Sequence, residues 1–93
     1  MDFEWNEKKN RLNYEKHGLD FNDAEFVFSE KTITFKDDRF EYGEERFITL
    51  GELKKRVVVI VHIQRDFVTR IISMRKANER EKKIYYERLN ETR

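Results

Sequence analysis

The chain contains no cysteine and no proline, and only three glycines in 93 residues. Without cysteine there is no disulfide framework and no thiolate chemistry, which suits a reducing compartment. Without proline, and with glycines isolated at positions 18, 43 and 51, no linker, repeat or low-complexity tract interrupts the sequence. It therefore reads as one domain over 1–93. The longest wholly apolar run, Val57 to Val61, falls far short of the ~20 residues a membrane span requires. The first residues, MDFEWNEKK, are acidic and hold no apolar core, so no signal peptide is expected and the chain is placed in the cytoplasm. Only two histidines occur, His17 and His62, far apart and without a Cys or His at ligand spacing. No metal site or cofactor is expected. GxGxxG and GxxxxGK[ST] are missing, and Ser29 and Ser73 have no neighbours suggesting a nucleophile triad.

Charge is what the chain has in abundance. Charged residues make up 42% of it and hydrophobic residues 38%, with eight Phe, four Tyr and one Trp to build a core. The net charge of +1 conceals an asymmetry: residues 53–76 hold seven basic side chains against Asp66 alone, +6 in total. Such a segment is either a solvated sheet edge studded with cations against aggregation or a surface for an anionic partner.

DFEW (2–5) reads as a short strand, and Asn6 as the cap of a helix that Gly18 stops, with Leu12 and Tyr14 facing inward. In FNDAEFVF (21–28), Asn22 and Glu25 have capping-box spacing, and Phe21 and Phe26 the spacing of a hydrophobic staple, so a second short helix is expected. The period then becomes two. TITF (32–35), EERFITL (44–50), RVVVIVHI (56–63) and FVTRIISMRK (67–76) read as strands with connections too short for crossovers, an antiparallel four-stranded meander. Asn78 and Glu81 repeat the capping-box spacing, opening a last helix in which Ile84, Tyr85 and Leu89 share a face. The expected fold is α+β, in the order β-α-α-β-β-β-β-α, with helices packed on one face of the sheet.

His62, in the middle of a strand, is read as a core residue. His17 follows Lys16 at the end of a helix, where it is either a cation stabilising the helix dipole or an acid–base group. Strict alternation puts Arg46 on a face with Glu44, Ile48 and Leu50. It puts Arg75 with Phe67, Thr69, Ile71 and Ser73, and Arg70 on the opposite side. Arg75, closing a mixed face, has the fork to hold a phosphate.

FEWNEKKNRLNYEKHGLDFNDA, EERFITLG, RVVVIVH and TRIISMRKANEREKKIYYE together closely resemble the BrnT toxin family, over residues 3–87 and in family order. The distinctive pieces are KHG with Phe three residues later, Arg46 and Gly51 with four residues between them, and IISMRKA. The resemblance implies a small toxin of a type II toxin–antitoxin system with a RelE-like fold. It also implies metal-independent endoribonuclease cleavage that inhibits translation, and neutralisation by a BrnA-type ribbon-helix-helix antitoxin whose DNA-binding half carries the complex to its operator. Lys16 and His17 fall on the family's Lys-His pair, Arg46 on its strand arginine and Arg75 on the arginine closing IISMR. Met74 stands where a small residue is common, and Asn6 where the family has aspartate. The catalytic set this implies is Arg75 and Arg46 as phosphate clamp, Lys16 or His17 for proton transfer, and Glu44 as a further base or arginine-orienting group. Arg65, Arg70 and Lys76 are expected to grip flanking RNA, or else to be ordinary exposed charges. The alternative is a module that binds nucleic acid or antitoxin without catalysis.

Overall fold

The computed structural model describes residues 1–91; positions 92 and 93 of the expected domain lie outside the described residues. Five strands form one mixed sheet: β1 (Asp2–Glu4), β2 (Ile33–Lys36), β3 (Phe47–Leu53), β4 (Arg56–Arg65) and β5 (Val68–Lys76), in the order β1-β5-β4-β3-β2. Helix α1 (Glu7–His17), a 3₁₀ turn (Phe21–Asp23) and α2 (Ala24–Phe28) lie between β1 and β2, and α3 (Glu79–Glu91) follows β5.

β2 to β5 pair antiparallel, as their short connections require, but β1 pairs with β5 in parallel, Phe3 opposite Thr69. The whole of α1 and three strands separate these partners in sequence, so no local turn could reveal the pairing.

The expectation that the helices share one face of the sheet is corrected. Leu19, Phe21, Ala24 and Val27 pack with Val58, Ile60, Ile71 and Met74 on one face. Ala77 and Tyr85, flanked by Ile84 and Leu89, pack with Ile48, Leu50, Val57 and Val59 on the other. Covered on both sides, β4 is buried continuously from Val57 to Ile63, which explains why its sequence is an unbroken apolar run rather than an alternation.

The face assignments in β5 are corrected as well. Val61 pairs with Ser73 but His62 pairs with Ile71, leaving Ile72 as an extra residue. This bulge reverses the alternation beyond it. Arg70, opposite Ile63, therefore joins Arg75, opposite Val59, on the α3 face, while Thr69 and Ile71 turn to the other.

Asn6 caps α1 by accepting from Lys9 N at 3.0 Å, and Gly18 ends it at φ 70°, where a Cβ would be strained. Leu12 and Tyr14 are nevertheless exposed, and the side chain α1 buries is Asn10, which donates to Asp20 and accepts from Phe21 N. The second helix starts differently too. Asp20, not Asn22, caps the 3₁₀ turn, and Phe21 is fully buried while Phe26 is exposed, so no staple forms.

Candidate functional site: an arginine-lined sheet face

α3 crosses only part of its face, the part level with Leu50 and Val59. Moving along the strands away from α3, that face presents Ser73, then Arg70, then Arg65, with Arg75 at the boundary.

Arg75 is held by the start of α3. Asn78 Oδ1 accepts from Glu81 N at 2.8 Å, and Glu81 Oε1 accepts from Asn78 N at 2.9 Å, closing a capping box. The same carboxylate takes both ends of the Arg75 fork, Nη1 to Oε1 and Nη2 to Oε2, each at 2.8 Å. The hydrogen bonds from Arg75 hold the Glu81 carboxyl below its usual range, and those to Glu81 raise the guanidinium. One acid thus caps a helix and aims an arginine. Bidentate geometry fixes the plane of the guanidinium as well as its place.

His17 sits at the C-terminal end of α1, alongside the part of β5 that β1 leaves uncovered. Its pKa is lowered, first by burial and then by the positive charges of Lys16 and Arg75. The imidazole is therefore neutral at pH 7, the form that accepts a proton. Lys16, beside it, is exposed. The structure thus brings His17, Lys16 and Arg75 into one electrostatic neighbourhood.

Arg46 and Glu44 lie elsewhere, on the connection from β2 to β3. It is built around Asp37, 4% exposed, which accepts from Arg39 Nε at 2.8 Å, Arg39 Nη2 at 2.9 Å and Tyr42 Oη at 3.1 Å. Those bonds, led by the Arg39 side chain, lower the Asp37 carboxyl to about 2. The Arg46 guanidinium rests over the Tyr42 ring, 4.1 Å from its centroid, a cation–π contact that orients it. Its Nε is buried without a hydrogen-bond partner, the nearest carboxylate oxygen being Glu44 Oε1 at 4.0 Å. Glu44 also meets Arg65 at 3.7 Å, and Arg70 meets Glu4 at 3.7 Å. Lys76 is exposed and, among the described residues, makes no ion pair.

Arg46 immediately precedes β3, whose first residue Phe47 pairs with His62, whereas Arg75 lies level with Val59 and Leu50. Two strand spacings and four residues separate them, about 16 Å between backbones. Arg39 is near enough for its charge to act on both Arg75 and Glu81. Arg39 and Tyr42 are thus the site residues missed in the sequence. An Asp-x-Arg in a polar loop has no period or motif to mark it.

Among the described residues, no three His, Cys, Asp or Glu side chains converge as a metal site needs, and no helix is long and apolar enough to cross a membrane. The face is a set of arginines held by carboxylates, with His17 within the electrostatic reach of Arg75, groups suited to binding a phosphodiester and moving a proton. The model of the ribonuclease toxin, BrnT, of type II toxin–antitoxin systems matches residues 5–81. No curated protein matches the chain significantly. The chain belongs to this family of ribonuclease toxins, and its biology is that of a toxin paired with an antitoxin.

Proposed function

We propose that the chain is a metal-independent endoribonuclease with a RelE-like fold, a single toxin domain over 1–93, and that it cuts RNA through the ribose 2′-hydroxyl. His17 takes the 2′-hydroxyl proton, the 2′-oxygen bonds to phosphorus, and the bond from phosphorus to the 5′-oxygen breaks. Lys16 returns a proton to that leaving oxygen. Arg75 and Arg46 stabilise the charge that develops on the phosphoryl oxygens, with Glu44 orienting Arg46, and Arg65, Arg70 and Lys76 hold the flanking strand. The observation carrying this reading is an Arg75 pinned by two 2.8 Å bonds in the neighbourhood of His17, whose pKa burial and the charges of Lys16 and Arg75 lower. A base and a preorganised cation there address the two largest demands of the reaction, since fixed donors aimed at developing charge cost no reorganisation.

In the cell the toxin acts in the cytoplasm, lowers translation by cutting RNA, and is silenced by a BrnA-type ribbon-helix-helix antitoxin that carries the pair to operator DNA. Cleavage of a single-stranded RNA by the purified toxin, with product ends identified, tests the chemistry. Transesterification leaves 2′,3′-cyclic phosphate and 5′-hydroxyl ends; 5′-phosphate ends overturn it. Arg75→Ala is expected to lower kcat by about 10²–10³ and His17→Ala by about 10²–10⁴. Full activity in both variants removes the site.

A further inference from the structure

The hairpin joining β3 to β4 has only two residues outside its strands, Lys54 and Lys55, because Leu53 pairs with Arg56. Both are left-handed, at φ 52° and 67°. This is the geometry of a type I′ turn, which Asn-Gly fills without strain and lysine does not. The other tight hairpin, β4 to β5, uses Asp66 at φ 53°, a residue that tolerates this conformation. Folding alone gives no reason for a lysine pair at the tip.

The charge environment supplies one. Every arginine of the sheet face is already against a carboxylate: Arg46 and Arg65 with Glu44, Arg70 with Glu4, Arg75 with Glu81. The exposed Lys54, Lys55, Arg56 and Lys76 make no ion pair among the described residues. Glu30 and Glu52 line a shallow hollow with Lys54 and Lys55 without pairing to them. Lys54 and Arg56 line a second hollow together with Asp23 and with Gly18, which follows His17 in the chain. Arg56 stands three residues along β4 from the level of Arg75, about 10 Å, and with Lys76, opposite Val58, it belongs to the α1 face, the side of His17 and not the α3 face of Arg75. A strand of RNA passing this end meets cations held in no ion pair, with Glu30, Glu52 and Asp23 in the same hollows but not bonded to them.

We propose that the strained Lys54–Lys55 turn is a phosphate-binding extension of the site, with Arg56 and Lys76, for the single-stranded RNA flanking the scissile bond. This rests on the ribonuclease reading. Two variants separate charge from backbone: K54N/K55G removes both the charge and the strain, and K54Q/K55Q removes the charge alone. Binding of a 2′-O-methyl single-stranded oligonucleotide, which cannot be cut by its own 2′-oxygen, is measured against salt beside melting and steady-state cleavage. K54N/K55G is expected to melt about 5 °C higher. Both variants are expected to lose about 1.4 from the slope of log K against log salt, two phosphate contacts at ~0.7 each, and to change KM several-fold rather than kcat. If wild-type protein cuts RNA while both variants keep its salt slope and KM, this inference fails and the ribonuclease reading stands. If only K54N/K55G binds weakly, charge is not the cause and the inference also fails. If wild-type protein neither cuts nor binds RNA, the reading beneath it fails first.

Discussion

Asn13 and Met74 are joined through both backbone groups of the methionine: Asn13 Nδ2 donates to Met74 O at 2.8 Å, and Met74 N donates to Asn13 Oδ1 at 3.2 Å. The amide plays the part of the missing neighbour strand where β1 has ended. It ties α1 to β5 one residue from Arg75 and one helical turn from His17, so the placement of the base depends on it.

Asn13→Ala should therefore act twice. It strips two partly buried backbone groups of their partners, a loss of about 2 kcal/mol, visible in urea denaturation and in faster exchange of the Met74 amide. It should also let the His17 pKa rise toward its ordinary value as the helix end moves away from Arg75. An unchanged His17 titration by NMR would show that something other than this amide positions the helix.

Gly51 is required by close approach, not by its dihedral angles. A Cβ built there comes 2.6 Å from Val27 Cγ1 and 3.1 Å from Thr32 Cγ2, and Val27 is fully buried with nowhere to go. Gly51→Ala is expected to cost about 1–3 kcal/mol through overpacking, lowering the melting temperature by about 5–15 °C. Unaltered melting would mean that α2 does not press on β3 as closely as these distances imply.

How far such features could be read in advance depended on whether their cause was local. Asn6, Gly18 and the Asn78–Glu81 box were legible because a cap is decided within four residues. β4 was legible because burial on both faces leaves a continuous apolar run. The parallel β1–β5 pairing and the bulge at Ile72 were not, since each depends on a partner strand. The bulge mattered most for function: alternation in β5 separated Arg70 from Arg75, and one unpaired residue put them on the same face. Leu12 and Tyr14 misled for a related reason. α1 docks by its asparagines onto backbone, a use of polar side chains that apolar periodicity cannot show. Within the candidate site, Arg75 and His17 were singled out from strand alternation and helix position, and the family likeness added Lys16 and Arg46 as site residues, whereas Arg39 and Tyr42 are visible only once Asp37 is seen to be buried.

His62 makes the fold acid-sensitive in a defined window. It is 5% exposed, its Nε2 lies 2.7 Å from Thr49 Oγ1, and its Nδ1 is buried with no partner. Phe28 packs edge-on against the ring and Phe47 stacks on it. Nothing there compensates a second ring proton, and burial lowers the pKa to about 4. The unfolded chain takes that proton near pH 6.5, so stability is whole above 6.5 and falls as pH drops from 6.5 to 4. At ~1.4 kcal/mol per unit the loss is about 2–3 kcal/mol. Asp37, lowered to about 2 by Arg39, works in a separate window, its stabilisation lost only between about 3.8 and 2. Urea midpoints between pH 4 and 7 should slope for the wild type and flatten in His62→Phe, which keeps a ring between Phe28 and Phe47 and leaves Thr49 bonded to Thr34. Should that variant not fold, titration of His62 in the wild type decides: an apparent pKa near 6.5 instead of near 4 means the ring is solvated when charged, and the acid slope belongs to another group.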